Sequence, residues 1–263
     1  MNREPKLPTI AVVLAAGKSK RMGGVYPKSA MELAGKPIIA YIVENLANVK
    51  PSVTKIILVV GYGADIVERA VLETINLDCA PELKFVLQKV QLGTAHALST
   101  ALPHIKKTEA NILVMCGDTP FIRGETMSGL IRYHQEQNGD ITLLTAEMDN
   151  PSSYGRIIRD PSGAVAGIIE YKDATPEQRD IKEVNSGFYI LRLSVVKKYL
   201  ERITPDNVQG EYYLTDLVKL AIEGGERVIG YKTDNVFEIA GINSPEDFSK
   251  AEKIIARRYD DSP

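Results

Sequence analysis

Thiols and imidazoles are scarce in this chain. Its 263 residues include two cysteines, Cys79 and Cys116, and three histidines, His96, His104 and His134. The cysteines lie on separate segments, so no disulfide is expected and a thiolate metal cage is excluded. No Ser-His-Asp or Cys-His arrangement is visible, which argues against nucleophilic catalysis of that type. A surplus of one charge sign is also missing. With 32 basic and 34 acidic residues, the formal net charge is −2, whereas general affinity for nucleic acid or an anionic membrane calls for a basic excess. No apolar run approaches the roughly twenty residues that span a bilayer. The opening "MNREPKLPTI" lacks the apolar centre of a secretory signal, so a cytoplasmic protein is expected. Linkers rich in Pro, Gly or Ser, low-complexity tracts and internal repeats are absent as well.

What is present is an alternation of two periods. "TIAVVLAA" and "KIILVVG" are short, apolar and β-branched, the pattern of buried strands, and "LKFVLQ" and "NILVMCG" read as the third and fourth strands. Between them, helices are expected at about residues 36–46, through Ile66, Val67, Ala70 and Val71, and from about Thr94. This βαβαβαβ order predicts a parallel sheet with helices on both faces, an α/β fold. The second half adds a strand at "ITLLTAEM" and two strands in "GRIIRDPSGAVAGIIEYKD", joined at the turn Pro161-Ser162-Gly163. Further strands are "EVNSGFYILR" and "RVIGYKT", with helices at about 194–200, 212–223 and 244–258. One domain over residues 7–258 is expected: a mostly parallel sheet extended by a small β-hairpin lobe.

The strand from Thr9 breaks at Ala15-Ala16-Gly17, where small residues let a ligand approach the main chain. Lys18, Lys20, Arg21 and Lys28 follow. Free backbone N–H groups and cations at the carboxyl end of a central strand suit a polyphosphate. The spacing matches neither GxxxxGK[ST] nor GxGxxG. Gly61-Tyr62-Gly63, after the second strand, reads as a tight turn.

The loop does match L-A-A-G-x-x-x-R-M-x(5)-P-K, with Leu14, Ala15, Ala16, Gly17, Arg21, Met22, Pro27 and Lys28. The chain thus resembles the sugar-nucleotide pyrophosphorylases, most closely the uridylyltransferase half of the bacterial bifunctional N-acetylglucosamine-1-phosphate uridylyltransferase. Six further blocks are similar and fall in the same order: "QLGTAHAL", "GDTPFI", "YGRIIRD", "EYKDATPEQRDIKEVNSG", "QGEYYLTD" and "AGINSPED". Together they run from about residue 9 to residue 248.

The resemblance implies a Rossmann-like nucleotidyltransferase fold. Its nucleotide half would cover about 9–120 and its sugar half about 121–243, with a closing helix at about 244–258. It also implies that UTP and N-acetylglucosamine 1-phosphate are joined with Mg²⁺ as cofactor. Arg21 and Lys28 would bind the triphosphate, and Asp118 and Asn243 the metal. Leu14, Ala15, Ala16, Gly17, Gln88, Gly93 and Thr94 would form the nucleotide pocket, and Gly155, Glu170 and Asn185 the sugar site.

Read without the resemblance, Asp118 is equally a turn or helix-cap residue and Asn243 a helix cap. Gln88 reads as a solvated strand end, and Glu170 with Lys172 as an exposed charge pair. His96 reads as a packing or hydrogen-bonded histidine, and Lys18 and Lys20 as solvated surface charges. A phosphate monoester is already anionic near neutral pH, its second pKa being about 6, so the implied reaction needs no general base. Two departures stand out. Cys116 takes a place where relatives often carry Tyr near the sugar. No hexapeptide repeats follow the matched region, so no acetyltransferase activity is expected. A stand-alone enzyme and a fragment of a longer chain both remain open.

Overall fold

The computed structural model describes residues 7–18, 22–51, 53–76, 81–151 and 153–260, the last five by backbone alone. From β1 (Thr9–Ala15) the chain passes through the glycine loop to a 3₁₀ turn at Lys28–Ala30. It then forms the short pair β2 (Glu32–Leu33) and β3 (Lys36–Pro37), and α1 (Ile38–Ala47). Next come β4 (Val53–Val60), α2 (Ala64–Thr74), β5 (Glu82–Leu87), α3 (Thr94–Ala101), β6 (Asn111–Cys116) and α4 (Gly124–Glu136). The second half comprises β7 (Ile141–Glu147), β8 (Gly155–Arg159), β9 (Val165–Ile169), α5 (Pro176–Arg179) and β10 (Glu183–Arg192). It ends with α6 (Leu193–Tyr199), α7 (Leu214–Glu223), β11 (Val228–Thr233) and α8 (Pro245–Asp260).

Among the described residues one nine-stranded sheet carries the fold, in the order β11-β7-β10-β6-β1-β4-β5, with β8 on β10 and β9 on β8. β1 runs parallel to both β4 and β6, β4 to β5, and β7 to β11. β10 is antiparallel to β6 and β7. The mostly parallel sheet and the hairpin lobe are therefore as expected. The antiparallel β10 joins the two halves into one sheet.

Period-two alternation in the buried strands divides the core. Ile10 and Val12 of β1 pack with Ile57 and Val59 of β4 against α3, α6 and α7. Ala11 and Val13 point to the opposite face, with Ile56 and Leu58, against α1, α2 and α4. A smaller cluster of Leu33, Ile38, Phe121, Ile242, Ala251 and Ile255 seats α8 beneath β2.

The helix expected from about Lys36 begins at Ile38, because Lys36 and Pro37 pair with β2 and Pro37 lies at the helix start. α7 begins at Leu214, not at Tyr212, whose N–H bonds the Leu92 carbonyl at 2.8 Å. Sequence reading passed over α4, although Met127, Leu130, Ile131 and His134 are buried at helical spacing.

Candidate active site

Four strands end level at one rim. Ala15 pairs with Val60, Val60 with Leu87, and Leu14 with Cys116. β1 lies at the topological switch: the chain moves outward from it through β4 and β5, then returns to β6 on its other side. Ligands of open α/β sheets collect at the carboxyl ends of strands at such a point.

Small residues interlock here. A Cβ on Gly117 would lie 2.8 Å from the Ala15 Cβ, and one on Gly61 would lie 2.7 Å from the Ala16 oxygen. Gly117 N–H donates to the Leu14 carbonyl at 2.9 Å, aligning the ends of β1 and β6. Gly17 behaves differently. It is exposed, and a Cβ there would meet nothing within 4 Å, so the protein's own packing does not demand a glycine. Gly61-Tyr62-Gly63 is the turn expected: Ala64 N–H bonds the Gly61 carbonyl at 3.1 Å, and Gly63 takes φ 65° before α2. A side chain on Gly63 would strike Pro27, so this turn backs the loop that carries Lys28.

Lys28 and Asp118 form an ion pair, with side-chain exposures of 15% and 20%. The same ammonium donates to Asn243 Oδ1 at 2.9 Å. Three residues 215 positions apart at the extremes thus meet at one point. Ile242 N–H bonds the Asp118 carbonyl at 2.9 Å, which ties the 240s segment to the end of β6. Asn243 is not the cap of α8. Ser244 Oγ takes that role, accepting from Asp247 N–H at 3.2 Å, while Asn243 N–H donates to Asp247 Oδ2. The Asn243 amide is left to face Lys28. Lys18 is exposed, as expected of a solvated charge. Lys20 and Arg21 lie outside the described residues, as does Cys79.

These oxygens fit a magnesium ion. Asp118 and Asn243 supply hard donors that already converge on a cationic group. A Cβ on Gly241 would fill the space at 3.0 Å from Asn243 Nδ2 and 3.6 Å from Asp118 Oδ1. Among the described residues no cluster of three or more His, Cys, Asp or Glu could cage a metal. An ion here would depend on substrate oxygens and water, the habit of Mg²⁺.

Gln88, just beyond β5, is buried and not a solvated strand end. Its Nε2 lies 2.8 Å from His96 Nδ1 and donates to the Gly93 carbonyl at 3.3 Å. Gly93 has φ 119°, and a Cβ there would lie 2.5 Å from the Tyr212 oxygen. Thr94 Oγ1 accepts from Leu214 N–H at 2.9 Å, and Ala95 N–H donates to the Tyr212 carbonyl at the same distance. The block after β5 is therefore clamped by the block before α7.

The sugar-site residues are also neighbours. Asn185 pairs with Gly155 across β10 and β8, and a Cβ on Gly155 would lie 3.5 Å from Glu170 Oε2. Glu170 accepts from the Thr215 hydroxyl at 3.2 Å. Burial, above all, raises its pKa from the usual carboxylate value, with Asp173 and Asp216 adding repulsion. Lys172 does not pair with Glu170; it donates to Gln209 Oε1 at 2.5 Å. Asn185 Nδ2 donates to the Tyr189 hydroxyl at 2.7 Å, beside a register shift in β10. A Cβ on Gly187 in that bulge would lie 3.3 Å from Cys116 Sγ, so this group abuts the end of β6. Burial pushes the Cys116 thiol up to about 12, which keeps it neutral.

Sequence reasoning missed Thr215 and Tyr189 as partners of the sugar-site residues. Thr215 falls inside the block "QGEYYLTD", which pointed to it only as part of a motif. Nothing in the spacing marks Tyr189.

The nucleotidyl transferase family profile matches residues 10–237. The chain is 40% identical to "Bifunctional protein GlmU" of Caldanaerobacter subterraneus over 252 residues, which is 96% of this chain and 52% of that protein. It is 41% identical to the protein of the same name from Pelotomaculum thermopropionicum, covering 94% of this chain and 52% of the relative. The chain thus spans about half the length of the curated relatives it matches. Among solved structures, UDP-glucose pyrophosphorylase complexed with UDP-glucose aligns with TM-score 0.78 at 19% identity, covering 96% of this chain and 99% of that one. CMP:2-keto-3-deoxy-manno-octonic acid synthetase complexed with CTP aligns with TM-score 0.71 at 16% identity, covering 95% and 99%. Both likenesses concern the fold.

Proposed function

The chain belongs to the nucleotidyl transferase family, and on that premise we propose that it joins UTP and N-acetylglucosamine 1-phosphate into UDP-N-acetylglucosamine with release of pyrophosphate. The observation that carries this reading is the meeting of Lys28, Asp118 and Asn243 at the switch point. The group of Gly155, Glu170 and Asn185 lies beside the same strand end.

In the reaction an oxygen of the sugar phosphate attacks the α-phosphorus of UTP. A new P–O bond forms, the bond to the β-phosphate bridging oxygen breaks, and pyrophosphate leaves with that electron pair. The nucleophile is already an anion near neutral pH, so no residue need remove a proton. What remains is alignment and charge repulsion. Lys28 offsets negative charge on the triphosphate, and Arg21 is proposed to share that task. Asp118 and Asn243 would hold Mg²⁺, which neutralises phosphate charge when bound. Gln88 and Gly93 receive the base. Glu170 and Asn185 hold sugar hydroxyls, and the Gly155 main chain accommodates the acyl group. Among the described residues no helix is long and apolar enough to cross a membrane; a cytoplasmic site of action is part of the proposal.

The test is pyrophosphate release with UTP, dTTP, CTP or GTP, each paired with N-acetylglucosamine 1-phosphate and glucose 1-phosphate, with Mg²⁺ and with EDTA. Release confined to UTP with the N-acetylated sugar, and lost with EDTA, is the expected outcome. Release with another pair would move the substrate. No release with any pair would overturn the proposal in favour of a binding protein.

A further inference from the structure

The reaction above makes no use of Glu238, yet this residue is fully buried, in the 3₁₀ turn at Val236–Ile239. A buried carboxylate persists only where its oxygens are matched. Its partner is Arg123, at the start of α4. Oε2 accepts from the Arg123 N–H at 3.2 Å, while Oε1 accepts from Arg123 Nε at 2.7 Å and lies 2.6 Å from Nη2. Asn235 Nδ2 donates to Oε1 at 3.4 Å, and the positive end of α4 favours the anion as well. The pair joins two segments that each carry a candidate metal ligand. Arg123 ends the segment that begins at Asp118, and Glu238 begins the one that leads to Asn243. The two run in opposite directions: Arg123 meets Glu238 at one end, and Ile242 N–H bonds the Asp118 carbonyl at 2.9 Å at the other. Phe121 and Ile242 pack in one apolar cluster. From the hairpin lobe, the Tyr154 hydroxyl donates to the Ile239 carbonyl at 3.2 Å.

We propose that Glu238 is a positioning residue: by clamping the far end of these paired segments to Arg123, it sets the spacing of Asp118 and Asn243 and so the grip on Mg²⁺. This rests on the proposed metal site. Near the two ligands the register is carried by the Ile242–Asp118 main-chain bond, and a neutral bond of that kind is weaker than a forked charged one. With the clamp gone, the segment leading to Asn243 is free to shift against the end of β6. The Lys28 ammonium, on a flexible stem, follows displaced oxygens. Mg²⁺ demands near-ideal octahedral geometry and does not.

The first measurement is amide hydrogen exchange by NMR on the full chain without metal. In Glu238→Ala the Ile242 N–H should exchange about tenfold faster or more, a larger factor than for Val13 and Leu113 in the sheet, which report global stability. The second is pyrophosphate release against Mg²⁺ concentration, with UTP and N-acetylglucosamine 1-phosphate at saturation. The half-maximal Mg²⁺ concentration should rise about tenfold or more, the usual cost of losing a partner that orients a metal ligand. The deficit in rate should shrink as Mg²⁺ is raised. Glu238→Gln keeps the volume and one acceptor for Arg123, so it should return the Mg²⁺ requirement to within about threefold of wild type. A merely structural loss would lower stability without moving that requirement. If alanine prevents folding, Arg123→Ala opens the same clamp from its exposed side. An Ile242 amide no more accelerated than the sheet amides, or an unmoved Mg²⁺ requirement in folded Glu238→Ala, overturns the positioning role and leaves the metal site standing. Wild-type release that is absent or indifferent to EDTA, or that is unaltered in Asp118→Ala, overturns the metal site and this inference with it.

Discussion

Lys28 holds its ammonium between the Asp118 carboxylate and the Asn243 amide oxygen, and removing either charge has a separate consequence. In the proposed reaction Lys28→Ala would delete one charge-assisted contact to phosphate, worth about 1.5–3 kcal/mol, which corresponds to roughly a 10- to 150-fold loss of rate. Steady-state pyrophosphate release measures it, and a rate within twofold of wild type would count against the assignment. Asp118→Ala removes the carboxylate at the strand end while Asn243 still accepts from Lys28, so the fold should survive. Turnover should fall by about 100-fold or more, the scale of losing a preorganised electrostatic group. Unchanged Mg²⁺-dependent turnover in a folded variant would sink it. Both positions stood out in the sequence through the resemblance: Lys28 closes the motif that opens at the end of β1, and Asp118, just past β6, read by itself equally as a turn residue, while their meeting is visible only in the fold. Asn243 was legible as a position, but its role was divided wrongly: adjacent Ser244 could cap α8 equally well, and only the structure shows that it does. Glu170 and Lys172 misled for a similar reason. Sequence proximity suggested a pair, while the fold brought in Thr215 and Gln209 from over thirty positions away.

Between elements, two glycine loops do different work, and alanine tells them apart. In the loop after β1, a methyl on Gly17 meets no protein atom within 4 Å. Gly17→Ala is therefore expected to change stability by no more than about 0.5 kcal/mol. If UTP lies against that backbone, its KM should rise by an order of magnitude or more, since misplacement at a reacting centre is costly. In the loop after β5, Gly93 has φ 119° and its methyl would press on the Tyr212 backbone. Gly93→Ala should lose about 1–3 kcal/mol by urea denaturation, from strain and loosening of the clamp against α7. Equal stabilities for the two variants would refute this division. β1, β4 and β6 were readable because each is a short apolar, β-branched run largely buried on both faces, whereas β5, at the sheet edge, exposes Glu82, Lys84 and Leu87. β10 could not be oriented from its sequence. "EVNSGFYILR" has the same apolar alternation in either direction, and pairing with both β6 and β7 decides it. α4 escaped because Ser128, Gly129 and His134 interrupt its apolar stripe, although all three are buried.

Across the whole molecule, the buried His134 couples folding to pH. It fastens α4 to β7 through Nδ1 and the Thr142 hydroxyl at 2.8 Å, while its Nε2 has no partner among the described residues. Desolvation, helped by the nearby Arg192 charge, lowers its pKa from 6.5 to about 4. The unfolded chain therefore binds this proton more readily than the native one between pH 6.5 and about 4. The sign follows: the neutral histidine is accommodated at pH 7, and stability falls as the pH drops through that window. From pH 7 to pH 5 this one group should cost about 2 kcal/mol, since each tenfold rise in proton concentration within the window favours the unfolded chain by about 1.4 kcal/mol. Carboxylates add their own pH dependence, so the wild type alone cannot isolate it. The double variant His134→Leu/Thr142→Val removes both polar partners and leaves no orphaned hydroxyl. Urea denaturation of both proteins at pH 7 and pH 5 should show the variant losing about 2 kcal/mol less than the wild type. Equal losses would mean that His134 is protonated in the native protein at pH 5, with a water or a local opening at Nε2 to receive the charge.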